Sequence, residues 1–102
     1  MIRDYETETG SVYRIDHENR VWTKIEKHAD EPENDSYVAP LNQLWQGPYE
    51  NRFSQDGWNE VEFPSVGMSM YIFGKMGYSW CTTDVVNVSD VDSWRDPVER
   101  IA

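Results

Sequence analysis

Between residues 2 and 27 the side chains alternate with a period of two, and short turn-forming clusters interrupt the alternation. That pattern constrains the fold more than any other feature, because only an extended strand sends successive side chains to opposite faces. In residues 2–8, Arg3, Tyr5 and Thr7 share a side. In residues 11–16, Tyr13 and Ile15 share a face. In residues 20–27, Val21, Thr23 and Ile25 lie opposite Trp22, Lys24 and Glu26. Thr9-Gly10-Ser11 reads as a tight turn, since glycine adopts positive φ without a Cβ clash. Asp16-His17-Glu18-Asn19 reads as a second turn, with Asn19 suited to the left-handed position. Residues 1–27 are therefore expected to form a three-stranded meander.

The pattern changes over residues 28–60. His28 to Ser36 is polar and acidic, with nothing to bury. Tyr37, Val38, Leu41, Leu44 and Trp45 mark a segment that packs, but Pro40 and Gly47-Pro48 argue against a long helix. Ser54-Gln55-Asp56-Gly57 reads as a turn, and Trp58 to Phe63 as a strand. This stretch is expected to be an ordered excursion across the surface.

Residues 61–88 hold the strongest strand signals. Over residues 66–73, Val66, Met68, Met70 and Ile72 fall on one face, with Tyr71 and Phe73 on the other. Gly74 to Gly77 is a hairpin connection, and residues 78–88 form the return strand. The apolar face of that strand changes from Tyr78 and Trp80 to Val86 and Val88, which predicts a bulge near Thr83-Asp84. Over residues 89–102, Ser89 or Asp90 is expected to cap a short helix carrying Val91, Trp94 and Val98, which Pro97 would limit to a turn or two. The fold class is thus mainly β. We expect one domain over residues 1–102, with about six antiparallel strands forming a bent sheet or small barrel, a long central loop and at most one or two short helices.

Two segments carry a family resemblance. One is Thr9-Gly10-Ser11-Val12-Tyr13-Arg14-Ile15-Asp16, followed by an asparagine-containing turn and Arg20-Val21. The other is Pro64-Ser65-Val66-Gly67 leading into an apolar strand and hairpin, then Cys81-Thr82-Thr83-Asp84-Val85-Val86-Asn87-Val88. Together they resemble small uncharacterised all-β proteins encoded by actinobacteria and their bacteriophages. The resemblance implies a phage or prophage origin. Its motifs are turns, strands and a bulge, so it carries over no functional residue.

Charge narrows the function classes. Acids outnumber bases 19 to 9, for a formal charge of −10. Such a field repels nucleic acid and anionic lipid and favours basic surfaces. No run of about 18 apolar residues occurs, so no membrane span is expected. The start, Met1 to Glu6, is charged and lacks the apolar stretch of a secretory leader, which points to the cytoplasm.

No catalytic constellation is recognisable. Cys81 is the sole cysteine and lies mid-strand, where a small buried residue is expected rather than a nucleophile. His17 and His28 have no cysteine at zinc-binding spacing. Asp30, Glu31, Glu33 and Asp35 surround Pro32, without the glycine turn and distal glutamate of a calcium loop. Glu60 and Glu62 share a strand face and read as its solvated side. No metal, cofactor or enzymatic activity is expected.

Aromatic residues make up 14% of the chain, including Trp22, Trp45, Trp58, Trp80 and Trp94. That is more tryptophan than a core this small readily hides, so at least one should be partly exposed. Exposed tryptophan and tyrosine beside acids suit a protein-binding module docking on the basic surface of a host protein to modulate or inhibit it, with nucleic-acid mimicry as a special case. The expected contacts are Asp30, Glu31, Glu33, Asp35, Trp45, Tyr49 and Trp58. A virion or assembly component, with strand edges pairing between copies, is the second reading, and a small-ligand-binding barrel the third. The sequence leaves monomer and homo-oligomer equally open.

Overall fold

The computed structural model describes residues 1–26, 38–74, 79–92 and 94. Its elements are β1 (Ile2–Thr7), β2 (Val12–Asp16), β3 (Val21–Glu26), β4 (Ala39–Pro40), β5 (Gln43–Gly47), a 3-10 turn (Tyr49–Asn51), β6 (Asn59–Glu60), β7 (Ser69–Phe73) and β8 (Ser79–Val91). They form one antiparallel sheet in the order β4-β3-β2-β1-β8-β7-β5-β6. The count exceeds the expected six because β4 and β5 form within the stretch expected to be a long connection.

The meander forms as the alternation predicts. β1 pairs β2 from Ile2–Asp16 to Glu6–Val12, and β2 pairs β3 from Val12–Glu26 to Asp16–Val21. Gly10 holds φ at +92°, a conformation favouring glycine. In the second turn the left-handed residue is Arg20, at φ 58°, and not Asn19. The reason is local. The Asp16 carboxylate accepts the amides of Glu18 and Asn19 and the Asn19 side-chain amide, at 2.9–3.0 Å. Asn19 is thereby tied back to Asp16, and the chain reverses one residue later. Burial pushes the Asp16 carboxyl up, but the bonds from Asn19 and Glu18 outweigh it and hold the group below its ordinary range.

β8 is the spine of the sheet, pairing β1 through its C-terminal part and β7 through its N-terminal part. The ladder with β7 shifts between Ser69–Asp84 and Tyr71–Cys81, where Thr82 and Thr83 face one residue. The bulge thus falls within one residue of where the face change predicts it. Ser89 and Asp90 do not cap a helix. They extend β8 against Asp4 and Arg3, because pairing with β1 satisfies backbone groups that a cap would leave to solvent. Val91, expected on that helix, ends β8 instead, and residues 93 and 95–102, Val98 included, lie outside the described residues.

Two other strands are shorter than the sequence suggests. β7 begins at Ser69, since Gly67 at φ +114° breaks the alternation. Val66 and Met68 are consequently exposed, whereas Met70 and Ile72 are fully buried. Of residues 58–63 only Asn59 and Glu60 are strand.

The core lies on one face of the bent sheet. Tyr5, Tyr13, Ile15 and Trp22 of the meander meet Leu41, Leu44, Met70, Ile72 and Val85. Burying one such aliphatic side chain is worth about 1.5–3 kcal/mol. The sheet is not closed, but its margins approach at the corner between β4 and β5. There Leu41 N donates to Arg20 O at the β3 side, and Asn42 N donates to Phe73 O at the β7 side. On the opposite face of the meander, Arg14 makes a two-pronged bond to Asp4, at 2.7 and 2.9 Å, with both side chains largely buried.

Candidate functional site

The alternation that buries Leu44, Met70 and Ile72 sends Trp45, Tyr71 and Phe73 to the outer face. The register sets Trp45 opposite Tyr71, and Gln43 opposite Phe73. Tyr71 and Phe73 stack with ring centroids 5.0 Å apart and planes inclined by 14°. Trp58 meets Tyr71 edge-on at 5.6 Å. Both geometries are favourable for rings with opposed face and edge charge. Trp45 Nε1 donates to Gln43 Oε1 at 3.3 Å.

Gly47 explains how Trp58 reaches this face. A Cβ at position 47 would lie 2.4 Å from two atoms of the indole, so the ring sits directly on the β5 backbone. Trp58 is only 8% exposed, and its Nε1 is buried with no hydrogen-bond partner among the described residues. The preceding turn delivers it. Gln55 N donates to Asn51 O at 2.9 Å, Trp58 N donates to Gln55 O at 3.2 Å, and Gln55 adopts φ 65°. A glutamine in the left-handed region is uncommon and costs backbone energy.

These residues enclose a shallow hollow of about 100 Å³ lined by Gln43, Trp45, Gln55, Trp58, Tyr71 and Phe73. A second hollow of about 370 Å³ shares Gln43 and adds Arg20, Leu44, Glu60, Val61 and Glu62. Glu60 is paired with Trp45 across β5 and β6, so its carboxylate stands on the aromatic face beside the indole.

The structure brings together Trp45 and Trp58 of the expected contacts. Tyr49 is separate from the hollow: the Arg52 guanidinium covers its ring at 4.1 Å and the Phe53 ring at 4.7 Å. Asp30, Glu31, Glu33 and Asp35 lie outside the described residues. Sequence reasoning missed Gln43, Gln55, Tyr71 and Phe73 as site residues. The outward alternation of Tyr71 and Phe73 was a usable signal, whereas the two glutamines enter through turn geometry. Exposed tryptophan is indeed present, since Trp80 is 38% exposed. Its Nε1 donates to Tyr13 Oη at 2.9 Å, and the Lys24 ammonium lies 5.3 Å from its ring.

Titratable groups elsewhere have structural settings. Cys81 is half-buried on β8, and burial pushes its thiol up, away from the thiolate a nucleophile needs. His17 shares a 2.8 Å hydrogen bond with Tyr5 Oη and packs its ring 4.7 Å from Phe63. Burial, reinforced by the positive charges of Arg3, the N-terminus and Arg20, lowers His17 to about 4. Burial likewise raises Tyr5 to about 12. The pair is neutral at physiological pH and joins the turn after β2 to the core. Among the described residues, no three His, Cys, Asp or Glu side chains converge as metal ligands. No helix among them is long and apolar enough to cross a membrane.

Comparison with known protein families, curated proteins and solved structures finds no match.

Proposed function

We propose that this chain is a non-catalytic binding module that docks on a basic segment of another protein through the outer face of β5, β6 and β7. One observation carries this reading: Trp45, Tyr71 and Phe73 stand half-open to solvent around the buried Trp58 and beside Glu60, in a chain of net charge −10. Burying aromatic rings on the core-opposite side of a sheet supplies contact area at low entropic cost. The acidic field raises the rate of encounter with basic partners. The likeness to phage and actinobacterial proteins fits a partner in a bacterial host, with modulation or inhibition as the outcome.

Fluorescence anisotropy with labelled arginine- and lysine-rich peptides tests the reading. Binding that weakens steeply with salt, and is absent for acidic peptides of equal length, is the expected result. No affinity for basic peptides, or affinity indifferent to salt, overturns it.

Self-association is the competing reading. It rests on Val66, Met68 and Val86, which are exposed around the β8 bulge, where Gly67 N donates to Val85 O and Val85 N to Met68 O. Light scattering separates the two readings: a concentrated sample that stays monomeric removes the assembly role.

A further inference from the structure

Resting on that reading, we infer that the aromatic hollow receives the cationic head of one lysine or arginine side chain of the partner, with the partner's next basic residue over Glu60 and Glu62. Four features of the hollow point to this occupant. Its walls are the rings of Trp45, Trp58, Tyr71 and Phe73, whose faces carry the negative part of the ring quadrupole and attract cations. Its remaining lining, Gln43 and Gln55, offers amide oxygens that accept N–H donors. Its volume of about 100 Å³ falls below the roughly 300–1,000 Å³ of sites that enclose whole small molecules. That size suits the end of a side chain. Finally, the β5–β6 register sets Glu60 opposite Trp45, which brings a carboxylate to the rim.

Among the described residues, the lining contains no lysine or arginine of the chain itself. Elsewhere the protein uses the same interaction internally: Arg3 lies 5.1 Å from the Phe63 ring, Lys24 is placed over Tyr13 and Trp80, and Arg52 over Tyr49 and Phe53. Among the described residues, the adjoining hollow places Glu60 and Glu62 against Arg20, leaving one negative charge in excess. Arg20 is turned to its own backbone, donating through Nη2 to Asn42 O. The shared wall, Gln43, makes the two hollows neighbours on one track. An extended peptide with alternate basic residues spans such a track, because its alternate side chains share a face.

The test uses the full chain and a capped Gly-Arg-Gly-Arg-Gly peptide, its lysine counterpart, and an analogue with neutral citrulline in place of arginine. Indole NMR resonances report occupancy. Both basic peptides should shift the Trp45 indole and bind about tenfold more tightly than the citrulline analogue. Trp45→Ala and Glu60→Gln should each weaken binding about fivefold, while Trp45→Phe, which keeps a ring, retains most of it. Asp92→Asn, an exposed change just past the C-terminal end of β8, serves as the charge control and should weaken binding less than twofold. Basic-peptide binding that Trp45→Ala and Glu60→Gln leave unchanged overturns the cation site and leaves the acidic docking module standing. Absence of basic-peptide binding overturns both.

Discussion

The inner aromatics of the meander and the outer aromatics of β5 and β7 differ in what their rings are for. Tyr5, Tyr13 and Trp22 point into the core, where aliphatic neighbours cover them, and the hydroxyls of Tyr5 and Tyr13 bond to His17 and Trp80. Trp45, Tyr71 and Phe73 stand on the far side of the same sheet, half-covered, and touch mainly one another and Trp58. Both groups arise from strand alternation. Only the first repays its burial within the fold. Removing water from an aromatic ring is favourable wherever it occurs, so the outer cluster retains surface whose burial is still available to a partner.

β7 allows a sharp test of that contrast, because Ile72 and Phe73 are neighbours on opposite faces. Ile72→Ala should cost about 3–4 kcal/mol in chemical denaturation, through lost transfer energy and a cavity. Phe73→Ala should cost about 1 kcal/mol, since its ring is already partly solvated. Equal costs would erase the distinction between the faces.

The next effect comes from Gly47→Ala. The new methyl overlaps the Trp58 indole, which must move off β5, at about 2 kcal/mol. Near-UV circular dichroism should change with the loss of Trp58–Tyr71 contact, while the meander's far-UV signal persists. A variant with unaltered stability and spectrum would show that the indole is not seated on the β5 backbone.

A smaller effect tests the inner cluster through pH. His17 is lowered from 6.5 to about 4, so the proton is bound more strongly by the unfolded chain. Stability is therefore full above pH 6.5 and declines as the pH falls toward 4. After allowance for its half-exposed position, the loss between pH 7 and 5 should be about 1 kcal/mol. His17→Gln should flatten the slope in that window, measured by thermal denaturation. An unchanged slope would detach His17 from the core.

The smallest change is expected at Phe53, which is 85% exposed. Phe53→Ser should alter stability by less than about 0.5 kcal/mol and leave binding of basic peptides intact, because Phe53 lies outside the hollow. A large binding defect would move the partner surface to the Tyr49–Phe53 turn.

What the sequence made legible follows from range. The meander and the β8 bulge are written in period-two patterning, which a reader can follow residue by residue. The shift from Asn19 to Arg20 was hidden because it depends on how one carboxylate, Asp16, divides its bonds. The early start assigned to β7 failed because Gly67 interrupts an alternation that continues in letters but not in backbone. At the candidate site, the two tryptophans stood out by type, and Tyr71 and Phe73 by parity. Gln43 and Gln55 carry no pattern of their own, and Gln55 owes its place to a left-handed turn. Gly47 reads as a chain-breaker beside Pro48, while its structural role is to leave room for an indole.

The corner at Leu41 and Asn42 has a mechanical consequence. One short stretch of chain is bonded to β3 on one side and β7 on the other, like a crosspiece fastened to both banks. Neither half of the sheet can then detach without pulling on the other. The amides of Leu41 and Asn42 should accordingly exchange hydrogen as slowly as the most protected strand positions, despite lying between two strands rather than within one. A partner that grips β5 therefore also holds the meander, and its binding should slow exchange at residues it never touches.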